Sequence, residues 1–133
     1  MKREHSKEGQ RWFEQARRDL DDANFVRNGG RYNLACFLAQ QAAEKALKAF
    51  LYNQGAEQVW GHSVIELCTD ASDFDPAFSK IKSDGAALDK YYIPTRYPDG
   101  LPGGIPANAY QKDDADLAIE KATKIISFVE ERL

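Results

Sequence analysis

The stretch from Tyr32 to about Tyr52 carries Leu34, Ala35, Phe37, Leu38, Ala39, Ala42, Ala43, Ala46, Leu47, Ala49, Phe50 and Leu51. Wound at 3.6 residues per turn, these positions cover most of a helix circumference, and such a helix must have neighbours on several sides. Its alanines favour helix and let partner backbones approach closely. At about 1.5 Å per residue it spans roughly 30 Å, the height of a small bundle. Only Gln41, Glu44, Lys45 and Lys48 interrupt the apolar surface, and Glu44 to Lys48 has the spacing of an ordinary helix-stabilising pair. The stripe reads as a solvated face.

The remaining segments supply the neighbours. Trp12, Phe13, Ala16, Leu20 and Ala23 recur at helical spacing opposite Arg17, Arg18, Asp19, Asp21 and Asp22, with Ser6 as the expected N-cap and Asn28-Gly29-Gly30 as the stop. A short helix is expected from Ser63, an N-cap with Glu66 at the capping-box position. Asp75-Pro76 signals another start. Its apolar stripe runs through Phe78, Ile81 and Leu88 toward Tyr91 or Tyr92, with a bend expected near Gly85. Prolines and glycines from Pro94 to Pro106 predict a long loop. Asp113, Asp114 and Asp116 then open a last helix carrying Ala118, Ile119, Ala122, Ile125, Ile126 and Val129. No β-alternation or internal repeat appears. The expected class is all-α, an up-and-down bundle of four to five helices, with residues 1–133 forming one domain.

A chain of 133 residues buries roughly two-thirds of its unfolded surface on folding, enough for a core without staples. Cys36 and Cys68 lie in apolar helical patterns, so they read as buried thiols in a reducing compartment. No apolar run reaches the ~18 residues of a membrane span, and the expected location is the cytoplasm. A net charge of −3 disfavours a broad grip on duplex DNA and requires any phosphate site to be local.

The segment Tyr91-Tyr92-Ile93-Pro94-Thr95-Arg96-Tyr97-Pro98-Asp99 concentrates recognition side chains where a helix stops. Arg96 offers a permanently charged fork for phosphate, while Tyr91, Tyr92 and Tyr97 offer stacking faces. Asp99 can instead pair with Arg96, and the whole segment can equally serve as a packed interface. Lys45 and Lys48 are candidates for the border of a basic groove. His62 has the titration range for acid–base work, but with Glu66 it supplies only two potential metal ligands, so no metal site is expected. Gly100-Leu101-Pro102-Gly103-Gly104 lacks the Gly-Lys-Ser/Thr ending of a phosphate loop. Ser63 beside His62 has no third orienting group. No cofactor is implied.

Trp12-Phe13-Glu14-Gln15-Ala16, the run from Ala35 to Ala49 with its Gln-x-x-Glu-Lys-Ala-Leu-Lys pattern, Gly61-His62-Ser63 and the Arg96-Tyr97-Pro98-Asp99 segment together resemble the HEPN-domain family (higher eukaryotes and prokaryotes nucleotide-binding), in its small stand-alone prokaryotic form. The resemblance implies a homodimer, often encoded beside a minimal nucleotidyltransferase as a toxin–antitoxin pair. It also implies that some members are metal-independent RNases, with an arginine followed after four to six residues by a catalytic histidine. Arg96 matches that arginine. Positions 101, 102 and 103 hold Leu, Pro and Gly, so the imidazole is missing from its usual place. The expected function is therefore a module that binds a nucleotide or RNA phosphate through Arg96. The alternatives are an RNase toxin with a degenerate motif, in which Arg96 and His62 are the weak catalytic candidates, and a protein-interaction module without nucleotide binding.

Overall fold

The computed structural model describes residues 2–133, with side chains from His5 onward. Among the described residues six α-helices follow in order: α1 (Lys2–Asn28), α2 (Tyr32–Asn53), α3 (Val64–Ser72), α4 (Lys82–Asp89), α5 (Pro106–Ala109) and α6 (Lys112–Glu130). Two 3₁₀ turns, Pro76–Ile81 and Pro98–Gly100, complete the regular structure, and no strand occurs among the described residues. The bundle is all-helical, as the periodicity predicts.

Helix α2 is its axis. Its residues Ala35, Ala39, Ala42, Ala43, Ala46, Leu47 and Ala49 are fully buried, and α1, α3, α4, α5 and α6 all pack on it. The turn at Gly29 and Gly30, the latter with φ of 79°, reverses the chain so that α1 runs antiparallel to α2. Gly9 of α1 sets how closely the two approach, because a Cβ there would lie 2.9 Å from the Ala49 carbonyl oxygen and 3.2 Å from Asn53 Cβ. Since backbone cannot rotate away, Gly9→Val should cost about 1–3 kcal/mol of overpacking, read as a lowered melting temperature. Arg17 pairs with Glu130 and Arg27 with Asp116, so α6 runs antiparallel to the second half of α1.

At α3 the Ser63 cap forms as the sequence indicates, while the reciprocal Glu66 bond of a capping box does not. Ser63 Oγ accepts from the Glu66 N–H at 3.2 Å. A second cap comes from α4, whose Asp89 carboxylate accepts from Ser63 Oγ at 2.7 Å and from the backbone N–H groups of Val64 and Ile65. The acid at the end of one helix thus satisfies the orphan donors at the start of another. Asp75 caps the Pro76 turn through the Ala77 N–H (3.0 Å) and binds Arg132 Nε (2.9 Å). Those two contacts, the backbone bond first, hold its carboxyl below the usual range. A depressed carboxyl stabilises above its unfolded pKa and loses that contribution as pH falls through the folded one. Asp75→Asn should therefore flatten the loss of stability below about pH 4, measured as melting temperature against pH.

Two boundaries differ from the sequence expectation. Helix α1 runs through Ser6 rather than starting there. The segment after Pro76 changes from 3₁₀ to α geometry at Ile81–Lys82 and stays helical through Gly85. The glycine serves packing: a Cβ at Gly85 would meet Val64 Cγ1 at 3.1 Å and the Ile65 nitrogen at 3.2 Å, so its absence lets α4 lie directly on the start of α3. Buried Asp84 faces α6, where Lys121 and Lys124 approach its two oxygens at 3.1 and 3.2 Å. Cys36 and Cys68 are free and buried, and burial pushes both thiols up to about 12. No described helix is long and apolar enough to cross a membrane.

Candidate functional site

The loop after α4 is held by a hydrogen-bonded turn from Ile93 to Tyr97. Thr95 is almost wholly buried, its hydroxyl donates to the Tyr91 carbonyl, and its own carbonyl accepts from Asn33 Nδ2 of α2 at 3.0 Å. The Arg96 and Tyr97 N–H groups both donate to the Ile93 carbonyl, at 3.0 and 3.1 Å. Gly100 folds back against Pro94 so closely that a Cβ would stand 2.9 Å from Pro94 Cα. A loop rich in proline is thereby held on the N-terminal half of α2.

Tyr91 and Tyr92 come before that turn and point in different directions. Tyr91 accordingly packs against the core and meets Tyr110 edge-on at 6.2 Å, and burial raises its phenol to about 12. Tyr92 and Arg96, four residues apart, share the outer side. The Arg96 Nε donates to the Tyr92 carbonyl at 2.9 Å, and its guanidinium carbon lies 4.4 Å from the Phe37 ring centroid, 4.6 Å from that of Tyr92 and 5.1 Å from that of Tyr97. Three rings thus orient one exposed guanidinium. Among the described residues no carboxylate pairs with it. Asp99 sits in the exposed 3₁₀ turn and makes no ion pair with Arg96.

His62 reaches the same place from the loop between α2 and α3. Its ring stacks on Tyr92 with centroids 4.7 Å apart and planes 18° apart. Its Nδ1 lies 3.2 Å from Glu44 Oε2, and Gln40 Nε2 holds its backbone carbonyl at 3.0 Å. Gly61, with φ of 94°, makes the turn that brings the histidine back onto α2. Because a carboxylate only accepts, the bonded Nδ1 carries the hydrogen, which leaves Nε2 of the neutral ring with a lone pair. That nitrogen has no partner among the described residues, and the side chain is 56% exposed. Arg96 and His62 therefore converge on Tyr92.

The polar stripe of α2 is the support beneath them rather than a solvated face. Glu44 is 4% exposed and Lys48 5%, and they pair at 3.1 Å. Glu44 also accepts from Gln40 at 3.2 Å and Gln41 at 3.3 Å, while Lys48 lies 5.6 Å from the Trp12 ring, itself stacked on Tyr52. The loop through His62 and the aromatic pair of Trp12 and Tyr52 cover a stripe that helix periodicity alone would leave wet. Lys45 turns to Asp19 of α1. Both lysines are engaged by carboxylates, Lys45 by Asp19 and Lys48 by Glu44. A cavity of about 840 Å³ between α1 and the end of α2 is lined by Arg11, Trp12, Lys45 and Tyr52. Its two cations are already paired with Glu8 and Asp19, which leaves none for a phosphate. No three His, Cys, Asp or Glu side chains among the described residues gather as a metal set.

Phe37, Asn33, Gln40 and the orienting role of Glu44 escape a reading of the loop motif, because α2 contributes them across about sixty residues of chain. Their only signal is polar residues one turn apart within an otherwise apolar helix.

Residues 10–132 match the family model described as the HEPN domain. The chain belongs to the HEPN domain family. It is similar to TT1696 from Thermus thermophilus, at 43% identity over 94% of this chain and 98% of that one, with a TM-score of 0.89. ST0689, an archaeal HEPN homologue, matches at 43% identity over 93% and 96% of the two chains, with a TM-score of 0.78. An HEPN domain protein of Thermotoga maritima, TM0613, matches at 36% identity over 91% and 95%, with a TM-score of 0.73. No curated protein matches this HEPN chain.

Proposed function

We propose that this HEPN domain binds a nucleotide or the phosphate of an RNA through Arg96, with Tyr92 and Tyr97 offering stacking surface. The observation that carries this reading is a guanidinium aligned by Phe37, Tyr92 and Tyr97 and, among the described residues, paired with no carboxylate. An arginine kept charged, exposed and pre-aligned has little freedom left to lose when an anion arrives. On one chain the site is an open shelf. A second copy of the chain would close it into a groove, consistent with the homodimer that the family resemblance implies, and a minimal nucleotidyltransferase is the partner that the same resemblance suggests. A panel of nucleotides and short RNAs should contain a ligand that raises the melting temperature of the wild type and leaves that of Arg96→Ala unchanged. A panel without any response rules the reading out.

A second reading, a metal-independent RNase, draws on one specific observation: His62 stacks on the same Tyr92 ring as Arg96, with its Nδ1 anchored by a buried carboxylate and its Nε2 without a partner among the described residues. In that reading Nε2 accepts the proton of an RNA 2′-hydroxyl as the oxygen attacks phosphorus. The P–O5′ bond breaks, the proton passes to the leaving 5′-oxygen, and Arg96 balances the charge on the phosphoryl oxygens. The products are a 2′,3′-cyclic phosphate and a 5′-hydroxyl. His62→Ala should slow such cleavage by about 10²–10⁴-fold, the usual span of acid–base catalysis, while leaving RNA affinity intact. RNA left whole after long incubation with folded protein in chelator removes this reading and leaves the binding reading standing.

A further inference from the structure

Trp60 stands 76% exposed, yet the chain on either side of it is fixed. The preceding Val59 N–H donates to the Tyr52 hydroxyl at 3.2 Å, and after the Gly61 turn His62 is tied to Gln40 and Glu44. A large aromatic side chain is thus presented to solvent from a pinned loop, at the edge of a depression of about 390 Å³ with Leu67 and Thr69 in its lining. Glu66 and Asp70, one turn apart on α3, are exposed and belong to the same depression. Among the described residues neither carboxylate has a cationic partner. From Ala49 to Ser79 the chain holds Glu57, Glu66, Asp70, Asp73 and Asp75 and no lysine or arginine, and of these only Asp75 is paired, with Arg132, among the described residues.

We infer that this face of α3 docks a basic segment of a partner protein, with an arginine or lysine side chain lying over Trp60 and its cationic head between Glu66 and Asp70. Tryptophan presents the most favourable aromatic face for a cation, and tryptophan is enriched among the residues that dominate binding at protein interfaces. The two carboxylates choose the occupant. They repel the phosphates of a nucleic acid and attract a cationic segment, so the face is complementary in charge to a basic protein and opposite in sign to the shelf around Arg96. Its ligand and that of Arg96 are therefore different, and neither assignment depends on the other. Fixing the loop beforehand also limits the entropy lost when a partner side chain settles on the ring.

The test titrates the full chain with a synthetic peptide of alternating arginine and glycine and follows tryptophan fluorescence, with calorimetry for variants that lack Trp60. Saturable quenching is expected in the wild type and should be lost in Trp60→Phe if Trp60 rather than Trp12 reports it. Trp60→Ala, Glu66→Lys and Asp70→Lys should each weaken the peptide by about five-fold or more, on the scale of one cation–π or ion-pair contact. Glu120→Lys makes the same change in net charge at an exposed position of α6 and should alter affinity by less than about two-fold, the level of unfocused long-range attraction. Trp60→Ala removes an exposed side chain, so its circular dichroism should match the wild type. Equal weakening by Glu66→Lys and Glu120→Lys would reduce the effect to general attraction and overturn the proposal. So would the absence of saturation at millimolar peptide, or quenching of Trp60 by an RNA oligonucleotide in place of the peptide.

Discussion

Glu44→Ala is expected to lower the free energy of unfolding by about 3–5 kcal/mol, the cost of leaving one member of a buried ion pair alone. The magnitude follows from what Glu44 holds. Its carboxylate is the partner of Lys48, which is 5% exposed, and it accepts from Gln40, Gln41 and His62 as well. Removing it strands a buried ammonium that lies 5.6 Å from the centre of the Trp12 ring. Domains of this size have roughly 5–15 kcal/mol in hand, so the variant should melt far below the wild type in urea or heat. A hydrophobic exchange of both partners, Glu44→Met with Lys48→Met, should recover most of the loss, since burying neither charge avoids the desolvation that burying one incurs. The double-mutant cycle reads the coupling directly. A Glu44→Ala loss below about 1 kcal/mol, the level of a surface ion pair, would mean that water reaches the pair and that the stripe behaves as a solvated face after all.

This pair also marks the limit of what the sequence makes legible. Helices α1, α2 and α6 are written in long apolar periods, and the starts at Ser63 and Asp75-Pro76 are local signals whose hydrogen bonds form as expected. Burial of Glu44 and Lys48 is not local. It depends on His62 folding back over α2 through the Gly61 turn and on Trp12 arriving from α1, contacts that no helical period encodes. The same holds for the tyrosine–arginine segment. Its residue types announce a recognition surface, but Tyr91 packs on the core while Tyr92 lies under Arg96, and Phe37 beneath the same guanidinium comes from another helix. Ser6 failed as a boundary because residues before it continue the helix. Gly85 failed as a hinge because its missing side chain accommodates α3 instead of freeing the backbone.

Arg96→Ala is expected to remove the melting-temperature shift produced by whichever nucleotide or RNA stabilises the wild type, with little change in the unliganded protein. Each hydrogen bond from a charged donor is worth about 1.5–3 kcal/mol, so two of them from one guanidinium to one phosphate correspond to a loss of well over ten-fold in affinity. Arg96→Lys separates charge from shape. Lysine keeps the positive charge but has neither the planar fork nor the flat face that lies against Phe37, Tyr92 and Tyr97, so affinity should fall most of the way toward that of alanine. If lysine restores binding, the site works as a point charge and the three rings serve only the fold. Tyr92→Leu offers the complementary cut, since it keeps apolar bulk under His62 and Arg96 while removing the ring both share. It should weaken a nucleotide or RNA more than inorganic phosphate, because base stacking contributes about 1–3 kcal/mol for a base and nothing for a bare anion. Undiminished affinity in Arg96→Ala would place the anion elsewhere, and not on Lys45 or Lys48, each of which is already held by a carboxylate.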